Sequence, residues 1–213
     1  MDDLVFCCVA FGIEYQKQQV RLRHSIRDIY PHANFNFYTN EFPPGSRDFY
    51  DSLYGFKPHL VQDALNKGFK RVICLDPAMI LVGKIDLFLK YPVVAVKDES
   101  LLWNVTSERC AKYYRMTREE IKENNWHLVG GSFYYFDFYD QTATNVFQTW
   151  HSAEINDLFG SQYDAASEKL QGHRYDETLM ALAMYFNDVE PQDSDQVGYC
   201  RESNSIWKKL HFK

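Results

Sequence analysis

Three acidic residues stand beside the ends of predicted secondary-structure elements, where folding can bring them to one site. Asp76 directly follows an apolar stretch, Arg71–Leu75, whose composition predicts a buried strand. Asp176 and Glu177 begin an amphipathic segment, Asp176–Phe186, that predicts a helix. Carboxylate oxygens are the ligands that hard cations such as Mn²⁺ and Mg²⁺ prefer, and a carboxylate can also act as a nucleophile. Structural roles remain open as well, because acids favour turns and helix N-termini without any chemical function.

The order of predicted elements indicates which of these residues can meet. Apolar runs at Leu4–Phe11, Arg71–Leu75 and Val93–Val96 predict strands, and amphipathic segments between them predict helices. This alternation favours an α/β fold, a single-domain Rossmann-like sandwich with a central, mostly parallel mixed sheet flanked by helices. Ligands of such sheets bind beyond the carboxyl ends of the strands. We therefore expect a site formed by the segments that follow Phe11, Leu75, Val96 and Phe136.

Composition excludes several classes of protein. With 213 residues, the chain is long enough for one domain with a sizeable core. Its formal net charge of -6 argues against a nucleic-acid partner, because binding phosphates requires a clustered positive surface. No stretch approaches the ~20 apolar residues of a membrane span. Asp2 and Asp3 do not form the basic start of a secretory signal, so we expect a cytoplasmic protein. In that compartment the cysteines are expected to be free thiols. A monomer is favoured.

The stretch from Tyr54 to Phe88 resembles the donor-binding segment of GT-A glycosyltransferases. A helix beginning at the basic residue Lys57 precedes the strand Arg71–Leu75, as in those enzymes. Asp76 stands where the family has the first acid of a Leu-Asp-x-Asp motif, and Ile80–Phe88 continues in the family's pattern. The resemblance is closest to the family 8 group and its small bacterial and viral relatives, chlorella-virus glycosyltransferase domains in particular.

This resemblance implies a retaining glycosyltransferase that depends on Mn²⁺ or Mg²⁺. It would move a hexose from a UDP-sugar, of the UDP-glucose or UDP-rhamnose type, to a glycan acceptor. The acceptor would belong to a viral capsid or surface glycoprotein. The reaction would take place in the host cytoplasm if the protein is viral. The family's main metal ligand is the second acid of the motif, but here Ala78 stands in that position beside Asp76. The chain then binds the metal weakly, needs none, or carries an aspartate-to-alanine substitution, and we favour the substitution. The resemblance assigns a third metal ligand to His211.

The resemblance also assigns the remaining contacts to the donor. Asp176 would hold a sugar hydroxyl, and Glu177 would act as the nucleophile or stabilise the oxocarbenium ion. Lys57 would contact the phosphate or sugar, and Lys213 the diphosphate. Residues expected near the uracil, ribose or sugar are Ala10, Phe11, Gly12, Tyr15, Gly130, Gly131 and Ser132, and position alone adds Asp98. Structural roles stay open, with Tyr15 packing in a helix, Lys57 as a surface lysine, and the glycine pair as a bulge or tight turn.

Two further interpretations remain open. One is a non-catalytic or metal-impaired UDP-sugar-binding domain in which Ala78 is the natural residue. The other is a sugar nucleotidyltransferase, but the turn Ala10–Glu14 lacks the glycine-rich, basic character usual after the first strand of that class. Within one domain, residues 1–98 are expected to bind the nucleotide and residues 99–213 the sugar and acceptor. The chain can also be one domain of a longer protein.

Overall fold

A five-stranded sheet forms the centre of the protein. The computed structural model describes residues 2–48, 51–159, 170 and 175–194, and the backbone of 207–209. The strands are β1 (Leu4–Ala10), β2 (Asn34–Thr39), β3 (Arg71–Leu75), β4 (Met79–Leu81), β5 (Val93–Leu101), β6 (His127–Asp137) and β7 (Trp207–Lys209). The helices are α1 (Gly12–Ile29), α2 (Phe56–Asn66), α3 (Glu108–Tyr113), α4 (Arg118–Glu123), α5 (Gln141–Ile155) and α6 (Tyr175–Phe186).

The main sheet has the strand order β2-β1-β3-β6-β5, and β4 pairs with β7 in a separate two-stranded sheet. β1 pairs in parallel with both β2 and β3, whereas β6 is antiparallel to both β3 and β5. Four of the five strands therefore run in one direction and β6 runs against them. This confirms the predicted α/β fold with a mixed, mostly parallel sheet, and it brings the carboxyl ends of β1, β2 and β3 to one edge.

Helices cover both faces of the sheet, which explains the unbroken apolar sequence of β1. Val5, Cys7 and Val9 pack into a core that includes α2, α5 and α6. The alternate residues Leu4, Phe6 and Cys8 pack on the other face with α1 and β4. Because side chains alternate across a strand, a strand buried on both faces must be apolar at every position. All seven residues of β1 are buried, as the sequence predicts.

Two strands are longer than the sequence predicts. β5 continues to Leu101, so Asp98 lies inside this strand and not after it. β6 begins at His127, so Gly130 and Gly131 lie within a strand. The β5–β6 pairing shifts register between Ala95 and Lys97, opposite the segment that holds the two glycines. The pairing is therefore irregular at the glycine pair, where the sequence left a bulge or a tight turn open.

The polar region Ser107–Asn124 forms two short helices with defined N-caps. The Ser107 hydroxyl accepts a hydrogen bond from the Cys110 amide at the start of α3. Thr117 and Glu120 form a capping box at the start of α4. In the part of the chain that the structure describes, no helix combines the length and apolarity needed to cross a membrane. The described cysteines, Cys7, Cys8, Cys74 and Cys110, are buried, and none of them forms a disulfide.

Candidate active site

A cleft of about 530 Å³ opens at the carboxyl ends of β1 and β3, against the first turn of α2. Phe11 and Tyr15 line it from the segment after β1, and Asp76 and Pro77 line it from the segment after β3. Lys57 contributes from α2. The cleft thus lies where the order of elements predicted a ligand site, and its size suits a small-molecule ligand.

Asp76 stands at the first position of a tight turn on the rim of this cleft. Its amide donates to the Ser132 carbonyl at 2.9 Å, and its carbonyl accepts from the Met79 amide at 3.1 Å. The turn that the sequence allowed is therefore present, and the carboxylate still lines the cleft. Ala78 occupies the third position of the turn, is half-buried, and its carbonyl accepts from Arg21 Nη2 at 3.4 Å.

Lys57 is a buried lysine with three oxygen partners, so the surface role that the sequence left open for it is wrong. Its side chain is 6% exposed. The ammonium donates to Asp176 Oδ2 at 2.5 Å and to the Gly131 carbonyl at 2.7 Å, and it lies 3.6 Å from Asp76 Oδ1. Burial lowers the pKa of Lys57, but the charges of Asp176 and Asp76 outweigh this and raise the pKa above its usual value. Lys57 is therefore a permanent cation at the closed end of the cleft.

Asp176 is the buried partner of this lysine. Only 4% of the residue is exposed, and its carboxylate also accepts a hydrogen bond from the Tyr134 hydroxyl at 3.1 Å. Burial raises the pKa of Asp176 to about 6, although Lys57 opposes the shift; the neighbouring charge of Glu177 adds to it. The carboxylate is thus ionised at neutral pH but titrates near pH 6.

Glu177 and Gly131 are placed against each other beside this ion pair. The Gly131 amide donates to Glu177 Oε1 at 3.0 Å. A β-carbon at Gly131 would lie 2.9 Å from Glu177 Cγ and 3.0 Å from Asp176 Oδ2, so the strand can approach the carboxylates this closely only with glycine here. Gly130 has no such neighbour, since its β-carbon would meet only the Val96 carbonyl at 3.9 Å.

Aromatic rings that the sequence did not single out form the other wall of the cleft. Phe42, Tyr54 and Phe56 line it together with Phe11 and Tyr15. The ring centroids of Phe11 and Phe42 are 4.3 Å apart, and those of Phe42 and Phe56 are 5.7 Å apart. Tyr54 has a positive φ of 61° and its ring lies 5.2 Å from the Lys57 ammonium. The cleft therefore combines an aromatic wall with a charged end.

The backbone after β1 is partly engaged with Asn40. The Ala10 carbonyl accepts from the Asn40 amide at 2.9 Å, and the Gly12 amide donates to Asn40 Oδ1 at 3.1 Å. Gly12 has a φ of 76°, which favours glycine at the start of α1. Phe11 and Tyr15 are 37% and 55% exposed, so both rings present free surface to the cleft.

The remaining predicted site residues lie apart from this group or outside the described residues. The Asp98 carboxylate accepts from the Ser100 amide at 2.9 Å within β5, and Asp98 does not line the cleft. Ser132 is buried and its carbonyl holds the Asp76 turn. His211 and Lys213 lie outside the described residues. The structure therefore places Phe11, Tyr15, Lys57 and Asp76 in the lining of the cleft, and it places Gly131, Asp176 and Glu177 behind Lys57.

The residues assigned to a divalent cation provide an incomplete set of ligands. Asp76 offers a carboxylate, but Ala78 has no ligand atom, and the Lys57 ammonium already lies 3.6 Å from the Asp76 oxygen. Ions such as Mn²⁺ and Mg²⁺ require several oxygen ligands, and a fixed ammonium beside one of them opposes binding. Asp76 alone does not form a strong metal site.

Comparison with known proteins shows no match to a family model and none to a curated protein. Among solved structures, the chain is similar to the crystal structure of a glycosyltransferase involved in the glycosylation of the major capsid of PBCV-1. The two share 12% sequence identity with a TM-score of 0.45, over 80% of this chain and 79% of that chain. We therefore base the function on the chemistry of the cleft.

Proposed function

We propose that the chain is a glycosyltransferase that moves a hexose from a UDP-sugar to a glycan acceptor and retains the anomeric configuration. One observation carries the proposal. Lys57 and Asp76 line one end of a cleft whose other wall is aromatic, and Asp176 and Glu177 lie behind Lys57, Asp176 through its ion pair with the lysine and Glu177 through Gly131. A nucleotide-sugar has a flat base, a charged diphosphate and a hexose rich in hydroxyls. The aromatic wall and the charged end provide matching chemistry for these three parts.

The base is proposed to stack against the aromatic wall. Tyr15 has the most exposed of the rings there, with 55% of the residue open to solvent, and Phe11 lies beside it with 37% exposed. Stacking on an aromatic face is favourable for any base, so this wall explains base binding but not the choice of uracil. Uracil enters the proposal through the family resemblance alone.

The diphosphate needs more positive charge than the described residues supply. Lys57 contributes one positive charge, whereas Asp76, Asp176 and Glu177 contribute three negative charges. Mn²⁺ or Mg²⁺ held by Asp76, with His211 as a further ligand, would neutralise the charge of the departing UDP. Lys213 is proposed to contact the same diphosphate.

The hexose is proposed to lie at the end of the cleft lined by Lys57 and Asp76, facing Asp176 and Glu177. Asp176 is held by Lys57 and Tyr134 and is 4% exposed, so a local opening at this end of the cleft must accompany the contact of its carboxylate with a sugar hydroxyl. Glu177, oriented by the Gly131 amide, attacks the anomeric carbon or stabilises its developing positive charge as the bond to the UDP oxygen breaks. The acceptor hydroxyl then forms the new bond on the face that UDP left, its proton passes to the departing phosphate, and any bond formed between Glu177 and the anomeric carbon breaks to return the free carboxylate.

Nucleotide binding tests the donor assignment directly. Calorimetric titrations with UDP, GDP and CMP, each with and without Mn²⁺, are expected to show that the chain binds UDP but neither GDP nor CMP. Asp76→Asn, which keeps the size and removes the charge, should abolish any dependence of UDP binding on Mn²⁺. Binding of GDP or CMP without binding of UDP would overturn the donor assignment.

A metal-impaired UDP-sugar-binding domain is the second candidate. It is favoured by Ala78 at the position of the missing ligand and by the 3.6 Å separation of Lys57 Nζ and Asp76 Oδ1. In this case the cleft binds the nucleotide-sugar but does not transfer the hexose. UDP-sugar hydrolysis and transfer by the unaltered chain distinguish the two candidates.

Ala78→Asp is expected to tighten Mn²⁺-dependent binding of UDP by about tenfold or more, because it adds a second carboxylate to the site. Ala78 occupies the third position of a tight turn and has no positive φ, so aspartate fits there without backbone strain. Calorimetry with Mn²⁺ measures the effect. Ala78→Asn is the matched control, which adds the same bulk without charge, and equal UDP affinity in the two variants would contradict the predicted metal site.

A further inference from the structure

A second group of ligand-type side chains lies where α2 packs against α5. His59 belongs to α2, whereas His151 and Glu154 are three residues apart on α5 and so share one face of that helix. One ligand atom from each of the three residues lies within 4.8 Å of the other two. Across residues 2–48, 51–159, 170 and 175–194, no other set of histidine, cysteine, aspartate and glutamate side chains has this geometry.

Two of the three residues in this group are in direct contact, and the third has a buried polar atom without a partner. His59 Nε2 lies 2.8 Å from Glu154 Oε2. The two imidazole rings are almost perpendicular, with centroids 4.9 Å apart. His151 Nε2 is buried and has no hydrogen-bond partner among the described residues. A buried polar atom without a partner is costly, and an ion bound by this nitrogen would remove the cost.

Arg47 holds the glutamate in the orientation that a metal ligand needs. Its Nε donates to Glu154 Oε1 at 2.8 Å and its Nη2 donates to the Glu154 carbonyl. The carboxylate therefore keeps Oε2 for the histidines, while its other oxygen is bonded to the guanidinium. Residues around a metal commonly fix the carboxylate ligand in this way. The charge of Arg47 opposes a cation, as that of Lys57 does at Asp76, but Arg47 is 35% exposed at its side chain and Lys57 only 6%, so water screens the Arg47 charge more.

We propose that His59, His151 and Glu154 form a Zn²⁺ site that is separate from the cleft. Two imidazole nitrogens and one carboxylate oxygen are a ligand set that suits Zn²⁺, with water as the fourth ligand. Bonds of about 2.1 Å in tetrahedral geometry separate the ligand atoms by about 3.4 Å. The present 2.8 Å between His59 and Glu154 needs to open by well under one ångström, and Zn²⁺ binds Nε2 of the neutral imidazole, whose one ring proton is then carried by Nδ1.

Such an ion would fasten the aromatic wall of the cleft to the helical layer behind it. Arg47 belongs to the loop between β2 and α2, the same loop that contributes Phe42 and Asp48 to the cleft. His59 lies on α2 two residues after Lys57. Zn²⁺ would cross-link α2 to α5 and, through Glu154 and Arg47, hold this loop in place.

Titration of Zn²⁺ and Co²⁺ into the Asp76→Asn chain tests the proposal, because this background lacks the carboxylate of the candidate site in the cleft. One Zn²⁺ is expected to bind per chain and to raise the melting temperature. Co²⁺ should give the strong visible absorption of a four-coordinate ion. Weak absorption typical of six-coordinate Co²⁺, or no binding, would overturn the site.

His151→Gln and His59→Gln identify the ligands in the same background. Each is expected to weaken Zn²⁺ binding by more than about a hundredfold and to abolish the rise in melting temperature. His32→Gln, at an exposed histidine before β2, should leave both unchanged. Zn²⁺ affinity within a few-fold of the parent in both ligand variants would overturn the proposal. If one variant fails to fold, the other variant and the Co²⁺ spectrum of the parent decide the outcome.

Discussion

Lys57→Met is expected to lower the free energy of unfolding by about 3–5 kcal/mol at pH 8, because it leaves the buried carboxylate of Asp176 without its counterion. The lysine is 6% exposed at its side chain, and its ammonium lies 2.5 Å from Asp176 Oδ2. Methionine fills a similar volume without charge, so the effect reports the lost ion pair and not a cavity. Urea unfolding followed by circular dichroism measures it.

The loss should be smaller at pH 5 than at pH 8. The folded-state pKa of Asp176 is raised to about 6, above its ordinary value of 3.8, so the folded chain binds the proton more tightly than the unfolded chain. By linkage, this group makes stability fall as pH rises from about 4 to 6. Removing Lys57 raises the pKa of Asp176 further, and a protonated carboxyl at pH 5 needs no counterion. Equal losses at both pH values would contradict the assignment to Asp176.

Lys67→Met is the matched control, at the other end of the same helix. Lys67 follows α2 and pairs with Asp63 at 2.7 Å, but its side chain is 47% exposed. The Asp63 side chain is 10% exposed, but it keeps the hydrogen bonds from Asn36 and Tyr38 when Lys67 is replaced. Water screens the charge of Lys67, so the expected loss is about 1 kcal/mol, well below that of Lys57→Met. The contrast between the buried and the exposed lysine isolates the effect of burying the cation.

Glu177→Gln is expected to reduce sugar transfer and UDP-sugar hydrolysis by about a thousandfold while leaving UDP affinity unchanged. Glutamine keeps the side-chain oxygen that accepts from the Gly131 amide at 3.0 Å, so the local structure is retained. It removes the negative charge proposed to act on the anomeric carbon. Initial rates and calorimetry with UDP measure the two effects separately.

A second helix provides the control for this substitution. Glu119 lies in the first turn of α4, as Glu177 lies in the first turn of α6, and it is exposed. Glu119→Gln changes the charge at a helix N-terminus without touching the cleft, so activity should stay the same. If Glu177→Gln also retains full activity, Glu177 acts only at its helix terminus and the proposed chemistry is wrong.

The layered fold could be predicted because its signals are local. Continuous burial of β1 and the amphipathic pattern of α1 follow from the order of apolar residues along the chain. The full length of β5 could not be predicted in this way. Its second half contains Lys97, Asp98 and Glu99, which resemble a loop, but β5 is the edge strand of the main sheet, bridged on its outer side by Gln192 at Val96, and it tolerates these polar residues.

The candidate site was predictable only where one residue marks an element boundary. Asp76 after a buried strand is such a mark. The burial of Lys57 could not be predicted from the sequence, because it depends on Asp176, which lies 119 positions further along the chain. The aromatic wall depends likewise on tertiary structure, since Tyr54 reaches it through a positive φ that its sequence does not require.

The three oxygen partners of Lys57 come from separate parts of the chain, the end of β3, the glycine pair of β6 and the first turn of α6. A residue that joins three segments tolerates little natural variation, because a substitution that changes ligand binding there also weakens the fold. The exposed rings of Phe11 and Tyr15 are not constrained in this way. Among relatives of this chain, substitutions that change ligand preference are therefore expected at the rim of the cleft and not at its closed end.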